Sequence, residues 1–250
     1  MPDPFADGTV VVGRNAVTEA LRAGRAIDKL YLAKGGTGDA LRRIASQARE
    51  AGAVVVETDA RALDSIGGTR AHQGVVALAA LQRYANLPDI LEAAAASGAP
   101  PLVVVCDGIN DPHNLGAIIR SAEAAGAHGV VIPKRRSAPV TASAIKASAG
   151  AAAHMAIARV PNIGAALAEM KRAGLWVFGA MPDGATPLWE ADLSRPAAIV
   201  IGSEGDGVRR LTAEGCDYRV KIPMLGKIQS LNASVSAALM LYEAMRRRAA

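Results

Sequence analysis

Between Asp107 and Arg120 the chain reads DGINDPHNLGAIIR, which gathers Asp, Asn, His and Arg in one short span. Side chains of these types can orient a hydroxyl or hold an anion. Asn114 suits a helix N-cap, where its side chain satisfies an orphan backbone N–H. Arg120 lies six residues further on, about two turns of helix away. A guanidinium there can reach back over the helix start to grip a phosphate or polarise a hydroxyl. The plainer alternative is a capped helix with a surface arginine. Gly116 and Ala117 keep the first turn thin, so another backbone or a ligand can approach. His113 has no visible partner and reads as a loop residue. The stretch lacks the Gly-x-Gly of a dinucleotide loop, which sets aside a nucleotide-dependent oxidoreductase.

Two further stretches carry the same kind of residue. Gly202-Ser203-Glu204-Gly205-Asp206-Gly207 follows the apolar run Ala198–Ile201. Its glycines allow positive φ and close ligand contact, and a helix over 207–214 would offer free N–H groups. Glu204 argues against a phosphate there and favours a ligand with a cationic or hydroxyl-bearing part. The alternative is a tight turn with Glu204 as a helix-start acid. The third stretch runs from Ile222-Pro223-Met224 to Ser230-Leu231-Asn232-Ala233-Ser234. Ser230 is a plausible N-cap. Leu231, Val235, Leu239 and Tyr242 form a helical apolar stripe, which is more often core than ligand contact. Arg246-Arg247-Arg248 reads as a solvated helix end that complements the dipole.

The elements that must position these stretches follow from the apolar pattern. From Leu102 onward strands and helices alternate: strands at 102–106, 129–132, 155–160, 175–180, 197–201 and 219–222, helices at 114–125, 139–149, 162–173, 207–214 and 230–248. Such alternation predicts a mainly parallel α/β sheet covered on both faces. All three stretches then sit at carboxyl ends of strands, where open α/β sheets bind ligands. Residues 10–81 form a separate compact α/β unit, with residues 1–9 read as frayed. Residues 83–100 contain Pro88, Gly98 and Pro100 and read as a linker that ends in a short helix. The division is therefore 1–82, 83–100 and 101–250.

Composition narrows the class. The chain has 250 residues, 51% of them hydrophobic, so a sizeable core needs no staples. Aromatics are 3%, which excludes stacking platforms as the main device for binding nucleic acid. A net charge of +5 fits a polyanionic partner, and most of the surplus lies in residues 101–250, with 17 Lys/Arg against 12 Asp/Glu. Cys106 and Cys216 show no metal spacing and read as core thiols in a reducing compartment. No apolar run approaches the ~18–20 residues of a membrane span, and the start shows no signal peptide. The expectation is a cytoplasmic protein without metal or membrane attachment.

Taken together, these three stretches resemble the motifs of the SpoU (TrmH-type) branch of SPOUT RNA 2′-O-ribose methyltransferases, in order and spacing. Residues 10–81 resemble that family's ribosomal-protein-like substrate-binding domain, with Ala71-His72-Gln73-Gly74 at its HQG element. Asp111-Pro112-His113-Asn114 and Pro133-Lys134-Arg135-Arg136-Ser137-Ala138 look most like the 23S rRNA guanosine methyltransferases. One departure is Ala233, where Val is usual. The resemblance implies S-adenosylmethionine as cofactor, 23S rRNA as partner, a homodimer paired through the catalytic domain, and a trefoil knot that topology rules alone would not suggest. It implies Arg120 as the catalytic arginine, with Asn114, Glu204, Ser230 and Asn232 completing the catalytic set. Gly202, Gly207, Ile222, Met224 and Leu231 would hold the cofactor. A tRNA methyltransferase, or a non-catalytic RNA-binding or ribosome-assembly protein, are the alternatives.

Overall fold

The computed structural model describes residues 10–35, 38–228 and 230–249; the frayed segment expected over residues 1–9 lies outside them. The chain divides into two units at Arg83/Tyr84.

The first unit runs β1 (Val10–Val12), α1 (Arg14–Arg22), β2 (Ile27–Ala33), α2 (Asp39–Glu50), β3 (Val54–Thr58), α3 (Ala60–Gly67) and β4 (Val75–Ala79). Its sheet is mixed, in the order β1-β4-β2-β3, with only β2 and β3 parallel. Leu41, Ile44, Ala45 and Ala48 recur at helical spacing on α2 and are the face it buries. The His72-Gln73-Gly74 element is consumed internally. His72 Nδ1 accepts from Gly74 N at 3.0 Å and Nε2 faces Asp64 Oδ1 at 3.2 Å. Gln73 takes φ of 52° and receives Arg14 N on Oε1 at 3.1 Å and Arg14 Nε on its carbonyl at 2.9 Å. The element fixes the turn from β1 into α1.

The second unit begins with α4 (Leu87–Ala96). Leu87, Ile90 and Leu91 are buried against the sheet, and Tyr84 Oη accepts from Val140 N. The short helix expected at the end of the linker segment is α4, and its buried side joins this unit's core while the rest of the segment is mostly exposed. There follow β5 (Leu102–Asp107), α5 (Pro112–Ala124), β6 (Gly129–Pro133), α6 (Ala142–Ala147), β7 (Ile157–Val160), α7 (Ile163–Arg172), β8 (Trp176–Ala180), β9 (Thr186–Pro187), β10 (Ala197–Gly202), α8 (Arg210–Glu214), β11 (Tyr218–Lys221) and α9 (Ala233–Arg248). The seven strands order β7-β6-β5-β10-β8-β11-β9, and every described pairing is parallel. Alternate residues of β5 serve opposite faces. Leu102, Val104 and Cys106 join one apolar cluster while Val103 and Val105 join the other. That is why the strand reads as a continuous apolar run.

Register then places the site. Gly202 stands opposite Asp107, and Val220 opposite Ala180, so the loops that follow these strands emerge side by side. Gly116 is required by packing: a Cβ there would lie 2.3 Å from the Ala144 carbonyl oxygen and 2.6 Å from Ala147 Cβ. Of the two possibilities for this thin first turn, the close neighbour is the backbone of α6.

Candidate active site at the carboxyl edge of the large sheet

Three boundaries differ from the sequence expectation, and each moves a site residue. Asp111, not Asn114, caps α5; its carboxylate accepts from His113 N at 2.9 Å, with Pro112 in the first turn. Asn114 therefore sits inside the first turn with its side chain released for other work. Asn232, not Ser230, caps α9, accepting from Ser234 N at 2.9 Å and Val235 N at 3.4 Å. The helix after the glycine loop starts only at Arg210 and spans five residues, so Glu204 is neither a helix-start acid nor beside free helix N–H groups. Ser203 and Gly207 instead close the loop on itself, with reciprocal N–H···O bonds of 3.2 and 2.9 Å.

The released Asn114 meets Glu204 and the capping Asn232. Asn114 Nδ2 donates to Glu204 Oε1. Asn232 Nδ2 donates to Asn114 Oδ1 at 3.0 Å and to the same Glu204 oxygen at 3.3 Å. One residue from each stretch is thereby locked into a triad 90 to 118 residues across in sequence at its two longest links. Each Asn oxygen accepts while its amide donates, so the orientations are mutually fixed. Glu204 Oε2 has no hydrogen-bond partner among the described residues, leaving one carboxylate oxygen for a ligand.

An ion pair between Asp107 and the partly exposed Arg209 holds the loops together. Asp107 is fully buried. It accepts from Arg209 N at 2.9 Å and Nε at 2.7 Å, and also from Nη2. Strong charge-assisted bonds of this kind join the end of β5 to the start of α8. Sequence reading marked Asp107 but not Arg209, because 102 residues separate them. Next door, burial pushes the Cys106 thiol up to about 12, helped by the Asp107 charge, so this cysteine is inert.

A small recess of about 70 Å³ lies beside the triad, lined by Ala180, Met181, Ile222, Met224, Ser230 and Leu231 among others. Three of the five residues expected to hold a cofactor, Ile222, Met224 and Leu231, line it, together with Ser230. Gly202 and Gly207 do not. A Cβ on Gly202 would fall 2.0 Å from the Gly207 carbonyl carbon, so this glycine serves the loop's own closure. Ser230 is placed in the recess rather than in the triad. The recess walls are mostly aliphatic or thioether, with the hydroxyls of Ser230 and Ser236, which suits a ligand that is largely apolar with a few polar atoms. Met224 is 37%, Leu225 104% and Ile228 72% exposed, so the loop over the recess leaves apolar side chains uncovered.

Arg120 is exposed and has no partner among the described residues. Six residues of helix rotate it by about 600°, so it points roughly 120° around α5 from Asn114. The structure does not bring it into the triad. The apolar stripe of α9 also differs from expectation. Its core side is Ala237, Met240, Leu241 and Ala244, while Val235 and Tyr242 are 46% and 48% exposed. With Ser121, Ser234, Ala238 and Leu239 they line a shallow groove. Of the terminal arginines, expected as a solvated end, Arg246 is exposed whereas Arg247 and Arg248 are half-buried. Arg246 and Arg247 pair with buried Glu243, and Arg248 donates to the carbonyls of Pro100, Pro101, Leu193 and Arg195. No His/Cys/Asp/Glu group that could hold a metal occurs among the described residues, and no helix among them is long and apolar enough to cross a membrane.

A parallel α/β sheet with a polar triad and an adjoining recess along its carboxyl edge is an arrangement suited to an enzyme that orients a polar acceptor beside a cosubstrate. Residues 101–242 match the SpoU rRNA Methylase family and residues 10–85 match the RNA 2′-O ribose methyltransferase substrate-binding family. The chain is 43% identical over 238 residues to a putative TrmH family tRNA/rRNA methyltransferase, YacO, of Bacillus subtilis strain 168, covering 95% of both chains. It is 43% identical over 239 residues to a protein of the same description from Staphylococcus haemolyticus, covering 96% of both. Among solved structures it resembles the SpoU methyltransferase AviRb from Streptomyces viridochromogenes in complex with the cofactor AdoMet, with TM-score 0.61, 27% identity, and 96% and 90% of the two chains covered. The chain belongs to the SpoU methylase family, as an RNA 2′-O-ribose methyltransferase.

Proposed function

We propose that this protein transfers the methyl group of S-adenosylmethionine to the ribose 2′-hydroxyl of a guanosine in 23S rRNA. The observation that carries the reading is the Asn114–Glu204–Asn232 triad, whose third member directly follows the recess residues Ser230 and Leu231. Cofactor and acceptor are thereby brought to adjacent positions on one edge. S-adenosylmethionine, when bound, supplies a methyl on a sulfonium, so its leaving group is already activated. The protein's own task is in-line positioning and charge management at the hydroxyl. Ile222, Met224 and Leu231 would pack the cofactor's apolar parts, with Gly202 and Gly207 shaping the neighbouring loop. Ser230 would donate or accept at the recess mouth.

Asn114 and Asn232 hold one oxygen of Glu204, and the free oxygen would orient the ribose. Arg120 offers N–H donors and no acceptor, so it acts as a hydrogen-bond donor and not as the base. Its role is to stabilise the developing alkoxide, while the proton leaves to an RNA phosphate, a water or Glu204. The exposed groove around Val235, Leu239 and Tyr242 would pair two copies into the homodimer. The family's trefoil knot belongs to the same reading.

The test is transfer of labelled methyl from S-adenosylmethionine to 23S rRNA and, in parallel, to tRNA, followed by alkali. A methylated 2′-oxygen cannot attack its phosphodiester, so the labelled linkages must survive as alkali-resistant dinucleotides from 23S rRNA. Label confined to tRNA overturns the substrate, and label in alkali-labile mononucleotides overturns the 2′-oxygen as acceptor. Arg120→Lys must lose turnover while keeping cofactor affinity; near-normal turnover would remove the arginine-specific role.

A further inference from the structure

A second cleft opens on the same edge of the large sheet. It has a volume of about 440 Å³, and Arg135, Arg136, Arg209 and Arg210 line it together with Pro133, Asn162 and Gly164, among others. Arg135 and Arg136 follow the end of β6, and Asn162 and Gly164 follow the end of β7. These four arginines come from two chain segments that are remote in sequence, and no Asp or Glu lines the cleft among the described residues. Two of the charges are committed: Arg209 to Asp107, and Arg210 to Glu214 at 2.6 Å. Arg135 and Arg136 are exposed and have no ion-pair partner among the described residues. Arg136 also holds a φ of 56°, an uncommon backbone state for a long side chain. The first turn of α7 adds backbone N–H groups that lack intrahelical acceptors.

Strand order locates this cleft relative to the site. Along the carboxyl edge the cofactor recess lies at β8 and β11, the triad at the ends of β5 and β10, and the arginine cleft at β6 and β7. Two strand spacings of ~4.8 Å put the cleft about 10 Å from the triad. That is a reach of only a few nucleotides along a single strand. Arg209 belongs to both places, since it lines the cleft and bonds the last residue of β5.

From this we infer that the cleft binds the RNA phosphodiester backbone a few nucleotides from the target ribose, with Arg135 and Arg136 on the phosphates. The inference rests on the RNA methyltransferase reading, but it has its own readout. A surface of uncompensated guanidinium groups is suited to phosphate oxygens, which they bind bidentately. Such contacts position the strand without reading its sequence.

The experiment compares the full-length protein with the double variant Arg135→Gln/Arg136→Asn, where Asn tolerates the left-handed backbone. The probe is a fluorescein-labelled 30-nucleotide single-stranded RNA of mixed sequence, titrated from 50 to 300 mM KCl. Each lost phosphate contact lowers the slope of log K against log salt by about 0.7 for a single strand. Two contacts therefore remove about 1.4 from the slope and weaken binding roughly tenfold at 0.15 M salt. Arg172→Gln, at the far end of α7, is the control for net charge. S-adenosylmethionine affinity, read by calorimetry, stays at the wild-type value in the double variant.

A reduced slope in the double variant, larger per charge than in the control, supports the cleft. An unchanged slope, an equal loss per charge in Arg172→Gln, or no binding of RNA by the wild type overturns it. If the double variant loses RNA slope while neither protein binds S-adenosylmethionine, the cleft stands and the methyl-transfer reading falls.

Discussion

Asn232 carries two duties that substitution can separate. Its carbonyl oxygen caps α9, and its amide holds Asn114 and Glu204. Asn232→Ala removes both. Loss of an N-cap costs about 1 kcal/mol, within a range of roughly 0.5–2. The surrounding triad is solvent-accessible, so water replaces the lost amide bonds and adds little. For a chain of this size about 1 kcal/mol lowers Tm by roughly 2–4 °C. Asn232→Ser keeps a capping oxygen but has no amide to donate, so its Tm stays within about 1 °C of wild type. Asn232→Asp also keeps the cap, yet sets a second carboxylate against the Glu204 oxygen that the amide now approaches at 3.3 Å. The expected order of stability is wild type, Ser and Asp together, then Ala. The expected order of methyl transfer is wild type far above all three, with a loss of at least about tenfold, since acceptor alignment fails. Scanning calorimetry and initial-rate methylation on the same four proteins decide it. An Asp variant with wild-type turnover, or a Ser variant that melts as low as Ala, would refute the division of labour.

Gly116→Ala should destabilise by about 1–3 kcal/mol through overpacking, because its Cβ has only 2.3 Å to the Ala144 carbonyl oxygen; an unchanged denaturation midpoint in urea would show that α5 and α6 can part freely. Glu243 is held below its ordinary 4.5 mainly by the hydrogen bond from Arg246, with Arg247 assisting against the cost of burial. A depressed carboxylate contributes stability above its unfolded pKa and loses it as pH falls through the folded value. Glu243→Gln should therefore lower Tm at pH 7 and flatten the decline below about pH 4.5; a variant whose Tm tracks wild type down that limb would count against the pair. Burial pushes Cys106 up to about 12 and Cys216 up to about 11, so a disulfide dye at pH 8 should find no rapidly reacting thiol in the folded protein and both after denaturation. A fast native thiol would contradict the packing at the end of β5.

Much of the architecture was legible because the large sheet is buried on both faces. A run such as Leu102–Asp107 then needs no alternation to be recognised, and the parallel arrangement follows. The three stretches were also legible as one site, since all end strands of one sheet. Caps were not. Asp111, Asn114, Ser230 and Asn232 all have good capping chemistry, and tertiary contacts chose between them. The Asn freed from α5 and the Asn capping α9 are the two that reach Glu204. The apolar stripe of α9 misled for a related reason. Periodicity shows that Val235, Leu239 and Tyr242 share a face, but the opposite face of Ala237, Met240 and Leu241 is also apolar, and only packing reveals which one is buried. The ion pair of Asp107 with Arg209 and the carbonyl clamp of Arg248 span more than fifty residues, beyond what local sequence can encode.

The most direct test is a map of ribose methylation across rRNA and tRNA from cells with and without this gene. The expected result is the loss of one 2′-O-methyl signal at a guanosine of 23S rRNA, restored by the wild-type gene and not by Arg120→Ala. Maps that coincide throughout rRNA and tRNA, or a single loss confined to tRNA, would contradict it.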